Sequence, residues 1–200
     1  MEHADESEMD IPEHPLVFTK FTSSITGPAD PIEISTDLTE EVDYEVELGV
    51  VIGKRAENIS KEEALSHVFG YTVINDISAR DLQFADGQWV RGKSLDTFCP
   101  MGPVIVTADD IKDPQAIDIS CSVNGDVLQE ANTKDMIFSV ADLVSTLSHS
   151  FTLNPGDIIA SGTPQGVGFS RKPPIFLKEG DRVKTWIEGI GELNNKVVEV

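Results

Sequence analysis

Along the chain, apolar and polar residues alternate in short runs separated by turn residues, a pattern that predicts strands more often than helices. LVFTKF (16–21) reads as a strand. VDYEVELGVVIG (42–53) alternates first and then becomes wholly apolar, as a strand does when it enters an interior. GYTVIND (70–76), PVIVT (103–107) and IDISCSVN (117–124) follow, and Asn124-Gly125 predicts a hairpin turn into DVLQEA. Turns at Asn154-Pro155-Gly156 and Glu179-Gly180 lead into DIIAS (157–161) and DRVKTWIEG (181–189). Helical spacing is rarer. Ser60 and Glu63 form a capping box ahead of EALSHV, with Gly70 placed to follow that helix. SVADLVSTLSHS (139–150) puts Val140, Leu143, Val144 and Leu147 on one face. Two helices among many strands, without regular β-α alternation, give an α+β, mostly β fold in a single domain, 1–200.

Residues 87–94, GQWVRGKS, match the phosphate-loop pattern G-x-x-x-x-G-K-[ST], but their surroundings do not suit it. The preceding RDLQFAD is polar and not a buried strand. Pro100 leaves little room for a helix after Ser94, and Gln88, Trp89, Val90 and Arg91 are bulky where phosphates need open backbone. Lys93 therefore needs another explanation.

Composition changes the picture in two places. A chain of 200 residues, 40% hydrophobic and 25% charged, is ordinary for one soluble domain. No apolar run approaches the ~20 residues that span a bilayer, and MEHADESEMD has no apolar targeting core, so the expected location is cytoplasmic. The two cysteines, Cys99 and Cys121, lie in mostly apolar stretches and read as buried reduced thiols. The charge is more informative. With 35 acidic against 15 basic residues, the net charge of −20 repels nucleic acid and anionic membranes, and neither is expected as a partner. Solubility, a salty habitat or metal-holding carboxylates could each account for it.

In VDYEVELGV the residues Val42, Tyr44, Val46 and Leu48 point one way, and Asp43, Glu45 and Glu47 the other. Two positions along a strand span about 6.6 Å, so Glu45 and Glu47 are neighbours on one face. That face is either solvated or, if the strand runs inside, a pair of buried like charges that requires a cation. Asp76, at the end of GYTVIND, either caps a short helix in SARDLQ or adds a third carboxylate. Three such groups make an all-oxygen site suited to Mg²⁺, Mn²⁺ or Ca²⁺ rather than zinc.

DYEVELGVVIG, GYTVINDISARDLQ, GKSLDTFCPMGP, VNGDVLQ, LNPGDIIASGTPQGVG, FLKEGD and IEGIGELNN together resemble the fumarylacetoacetate hydrolase family, in its order and over roughly residues 15–200. The resemblance implies a mixed β-sandwich roll, a homodimer, and a divalent metal that binds a small 2-oxo acid or 1,3-dicarbonyl substrate. It also implies roles: Glu45, Glu47 and Asp76 as metal ligands, Arg80 and Gln83 on substrate oxygens, and Lys93 on the developing oxyanion. Thr97 would stand behind the metal, and Thr163, with loop backbone, would donate to a substrate carboxylate. Taken without the family, Arg80 and Lys93 are equally readable as surface ion-pair partners, and Gly162, Gly166 and Gly168 as a structural turn. His3 and Glu6 match the family's water-activating H-x-x-E pair, although the strand and G-x-N-Y segment that usually precede it have no counterpart here; otherwise they belong to an acidic tail. The implied reaction is hydrolysis of a C–C bond in an acylpyruvate or fumarylpyruvate, through an enolate that the cation stabilises. Oxaloacetate decarboxylation and isomerisation of 2-hydroxyhepta-2,4-diene-1,7-dioate use the same enolate. A metal-binding homologue without turnover is the alternative from another class.

Overall fold

A computed structural model describes residues 12–85 and 87–200. The strands are β1 (Ile25–Thr26), β2 (Ile32–Ile34), β3 (Val42–Asp43), β4 (Val46–Ile52), β5 (Val68–Asn75), β6 (Ser78–Ala79), β7 (Cys99–Thr107), β8 (Asp118–Val123), β9 (Asp126–Asn132), β10 (Ile158–Ala160), β11 (Arg182–Ile187) and β12 (Gly191–Glu199). The helices are Lys61–Ala64, Arg80–Ala85, Val90–Lys93 and Val140–Ser150.

Two five-stranded sheets, ordered β1-β7-β5-β4-β10 and β2-β12-β11-β8-β9, enclose the core, and β3 pairs with β6 beside them. Most pairings are antiparallel, but β1 runs parallel to β7 and β2 parallel to β12, so the sheets are mixed. The second sheet has one wet face. Along β11, Val183, Thr185 and Ile187 are buried while Arg182, Lys184 and Trp186 are exposed, the period of two that a sheet covered on one side requires. Asn124 (φ 55) and Gly125 (φ 96) make the tight turn of the β8–β9 hairpin, in the left-handed backbone that a two-residue turn needs.

The strand β4 behaves differently. All seven of its residues are buried, on both faces, because β5 and β10 flank it and the loops of the site cover what the core does not. The wholly apolar second half of VELGVVI pays for this burial with hydrophobic stabilisation. The charged first half needs partners.

Two local expectations change, and one long strand carries no signal in the sequence. LVFTKF (16–21) is not a strand: Leu16, Val17 and Phe21 are exposed, and Lys20 is turned inward instead. Its apolar residues find no core face, and a charge contact decides the side-chain directions. Gly70 does not end a helix. The helical stretch stops at His67, and Gly70 sits inside β5, where an added Cβ would lie 2.3 Å from the Val106 carbonyl oxygen of β7. Finally, GELNNKVVE forms β12, unsignalled because asparagine is a poor strand former; Asn195 is buried there and donates to the Gly27 and Asp30 carbonyls.

Candidate active site

The site lies where β4, β5 and the two short helices after β6 meet. Asn75 and Asp76 clasp the backbone of Glu45 from both sides: the Glu45 amide donates to Asn75 Oδ1 at 3.0 Å, and the Asp76 amide donates to the Glu45 carbonyl at 2.8 Å. This double tie brings Glu45, Glu47 and Asp76 together, with one ligand oxygen from each lying within 4.8 Å of the others. All three are buried, with exposures of 5%, 3% and 0%. A solvated strand face is thereby ruled out, and Asp76 is engaged with lysines rather than capping a helix.

Three cations face these carboxylates. Lys93 Nζ bridges Glu45 Oε2 (2.7 Å) and Asp76 Oδ2 (2.8 Å). Arg80 Nη2 lies 2.7 Å from Glu45 Oε1 and 2.8 Å from Asp43 Oδ2, and its Nη1 donates to Gln83 Oε1 at 2.9 Å. Lys20 Nζ reaches Asp76 Oδ1 at 2.5 Å and also contacts the Lys93 carbonyl oxygen. Arg80 and Lys93 are 3% and 2% exposed, so neither is a surface ion-pair partner. Burial alone would pull the Lys93 ammonium down, but Asp76 and Glu45 override it and hold the charged form above its usual range. Arg80 is pushed up in the same way, by Glu45 and Asp43 against burial.

Lys93 also settles the phosphate-loop pattern. It ends the helix Val90–Lys93 instead of opening one, so no helix N-terminus faces a phosphate there. Gly92 serves packing: a Cβ on it would lie 2.6 Å from both the Ala79 carbonyl oxygen and the Gln83 amide nitrogen.

Glu47 is the unbalanced member. Its Oε2 accepts the Gly162 amide at 2.8 Å, but it has no ion-pair partner among the described residues. Burial first, then the Asp76 and Glu45 charges, push its carboxyl well above the usual range. A buried carboxylate facing two others, with hard oxygen donors throughout, is what a divalent cation would relieve. The residues present therefore fit Mg²⁺, Mn²⁺ or Ca²⁺.

Other expected residues are placed as follows. Gln83 is buried beside Arg80. Thr163 donates to the Val46 carbonyl at 3.1 Å and accepts from Gln129 Nε2 at 2.8 Å, so its single proton is directed at the protein. Thr97, a β-branched residue held at φ 65, accepts the Glu33 amide of β2 at 2.8 Å. His3 and Glu6 lie outside the described residues.

Three contributors carried no motif signal of their own. Lys20 stands in a stretch that reads as a strand. Asp43 receives Arg80 together with the Gly168 (2.7 Å) and Phe169 (3.0 Å) amides; burial raises its carboxyl, which Arg80 and the amides pull back. Gln129, on β9, accepts the Val46 amide at 3.0 Å and donates to the Pro164 carbonyl at 3.0 Å, tying the Thr163 loop to β4. An acid or amide at an alternating strand position is a weak clue to such work.

Comparison with known proteins agrees with this geometry. The family described as fumarylacetoacetate (FAA) hydrolase C-terminal matches residues 1–198. Oxaloacetate tautomerase fahd2, mitochondrial, of Xenopus laevis is 50% identical over 200 residues, covering 99% of this chain and 62% of the relative. Oxaloacetate tautomerase YisK of Bacillus subtilis is 51% identical over 198 residues, covering 98% of this chain and 66% of the relative. The chain thus spans about 62–66% of the length of these curated relatives. Among solved structures, the fumarylacetoacetate hydrolase of Exiguobacterium antarcticum superposes with a TM-score of 0.90 at 50% identity, over 92% of this chain and 66% of that one. Maleylpyruvate hydrolase from Sphingobium sp. SYK-6 gives 0.81 at 38% identity, over 92% and 64%. Mixed curled sheets, the buried E-x-E and N-D carboxylates and a match over nearly the whole chain converge: this chain belongs to the fumarylacetoacetate hydrolase family.

Proposed function

We propose that the protein binds a divalent cation at Glu45, Glu47 and Asp76 and interconverts the keto and enol forms of a 2-oxo diacid of the oxaloacetate type. The observation that carries this reading is the buried three-carboxylate cluster with the Lys93 ammonium bridging two of its members. The naming of relatives about half identical to this chain as oxaloacetate tautomerases supports the substrate. When bound, the cation supplies Lewis acidity that polarises the 2-oxo group. Lys93, held charged in a dry setting, puts fixed positive potential where oxygen becomes negative as the adjacent C–H bond breaks. Arg80 adds to that potential and orients Gln83 toward substrate oxygens. Gln129 keeps the Thr163 loop in register with β4, so the site needs little reorganisation when substrate enters.

C–C hydrolysis is the second reading, favoured by the superposition on maleylpyruvate hydrolase. It needs an attacking water, which His3, oriented by Glu6, would activate. Decarboxylation of oxaloacetate needs no such pair. The reading includes a homodimer: Phe69, Val104 and Ile105 leave apolar surface exposed along β5 and β7, and light scattering in solution gives the mass. Two buried free thiols fit a reducing compartment such as the cytoplasm, which fractionation checks.

The test follows the enol absorbance of oxaloacetate with Mg²⁺ and then with EDTA, alongside assays for pyruvate, CO₂ and, from acetylpyruvate, acetate. EDTA-sensitive tautomerisation supports the proposal. Acetate release moves the assignment to hydrolysis, and CO₂ above the metal's own rate moves it to decarboxylation. Saturable Mn²⁺ binding with no product from either substrate makes the protein a non-catalytic homologue.

A further inference from the structure

The stretch after β10 has no regular structure, yet it lies along residues 43–47 as a further strand would. The Gly162 amide donates to Glu47 Oε2 at 2.8 Å, and the Thr163 hydroxyl donates to the Val46 carbonyl at 3.1 Å. The Tyr44 hydroxyl donates to the Gly166 carbonyl at 3.1 Å, and the Gly168 and Phe169 amides donate to Asp43 at 2.7 and 3.0 Å. The order is antiparallel, and of residues 43–47 only Glu45, which is turned to Lys93 and Arg80, stays outside these bonds. Each bond uses a side chain on one side, so strand pairing does not fix how deep this stretch sits.

Two consecutive residues of β9 anchor it instead. Gln129 holds the near end through Thr163 and Pro164. Leu128 holds the far end through Arg171, whose Nη2 donates to the Leu128 carbonyl at 2.5 Å and whose Nε donates to the Gly166 carbonyl at 3.2 Å. The same guanidinium donates to the Tyr44 hydroxyl. Although the chain carries 35 acidic residues, Arg171 forms no ion pair among the described residues. Half-buried, it directs its donors at main-chain oxygens and one hydroxyl. A guanidinium suits this work because its donors diverge in a fixed plane, whereas an ammonium is a single point on a flexible stem. Gly166 belongs to the same contact. It stands at φ 96, and a Cβ on it would lie 2.1 Å from the Leu128 carbonyl oxygen, so the stretch meets β9 main chain to main chain.

We infer that Arg171 is a positioning residue: without touching substrate, it sets how deep residues 162–169 lie against Asp43–Glu47 and so how tightly the site holds substrate. This rests on the 2-oxo diacid reading above. Gly162, on Glu47, puts the stretch at the border of the carboxylate centre, where a shift of about 1 Å is costly. Lys93, Arg80 and the three carboxylates stand on β4, β5 and the two short helices, which Arg171 does not touch. Loss of Arg171 therefore weakens the hold on substrate and leaves the proton transfer itself nearly unchanged.

The test is steady-state keto–enol kinetics on oxaloacetate with the Mg²⁺-loaded full chain and its Arg171→Ala, Arg171→Lys and Gly166→Ala variants. Arg171→Ala is expected to raise KM about tenfold with kcat within about twofold. Arg171→Lys, which keeps the charge without the fork, recovers little of the loss. Gly166→Ala keeps the guanidinium but pushes the stretch off Leu128, raises KM in the same way, and covers the case in which an Arg171 variant fails to fold. The double variant Arg171→Ala/Gly166→Ala is no worse than either change alone, because both act on one contact. A role confined to folding would lower the melting temperature and the active fraction, hence the apparent kcat, and leave KM where it is. An unchanged KM in all variants, with the parent turning over, overturns the inference and leaves the tautomerase reading intact. A Mg²⁺-loaded parent that does not tautomerise oxaloacetate overturns both together.

Discussion

Glu47 shows at single-residue scale how this site sets stability against function. Its carboxylate is buried against Glu45 and Asp76 without a cation of its own among the described residues. Glu47→Gln removes one of three like charges and keeps the shape and the acceptor for the Gly162 amide. The metal-free variant should therefore melt higher than the parent, by a few degrees, while saturable Mn²⁺ binding disappears from the titration. A lower melting point would show that Glu47 is not strained in the metal-free state. Cys99 makes a separate pH prediction. Burial pushes its thiol up from about 9 to about 11, so the unfolded chain ionises first as pH rises. The stability this group contributes is complete below about pH 9 and is lost progressively between about 9 and 11. Chemical denaturation across that window should show a smaller loss in Cys99→Ala.

Between elements, Gly92 decides where Lys93 stands. The helix Val90–Lys93 crosses the helix Arg80–Ala85 so closely that a methyl group at Gly92 would meet backbone atoms of Ala79 and Gln83 at 2.6 Å. Backbone yields less readily than a side chain, so Gly92→Ala must push one helix away. The expected outcome is a loss of about 2–4 kcal/mol in denaturant unfolding, with a fall in kcat larger than any change in KM, because the Lys93 ammonium moves off Glu45 and Asp76. Unchanged kcat would place Lys93 outside the reaction. The glycine of the apparent phosphate loop is thus kept by helix packing, which a pattern of residue types does not distinguish from phosphate binding.

At the scale of the molecule, the carboxylates sit between elements that belong to one continuous core, so filling their site should stabilise the whole chain. Mg²⁺ at a hundred times its dissociation constant is expected to add about 2.7 kcal/mol, seen as a rise in Tm that EDTA reverses. A Tm indifferent to both would argue against the metal. The mostly β class, the Asn124-Gly125 hairpin, the Val140–Ser150 helix and the spacing of the three carboxylates are legible in the chain alone, because each is written in local periodicity, turn chemistry or spacing. The sequence leaves open whether Glu45 and Glu47 face water, whether Lys93 is a surface charge, and what LVFTKF does. Folding in three dimensions resolves each of them. Burial on both faces of β4 and the inward turn of Lys20 arise from contacts between residues distant in the chain, and no local pattern encodes which distant partner a side chain will meet.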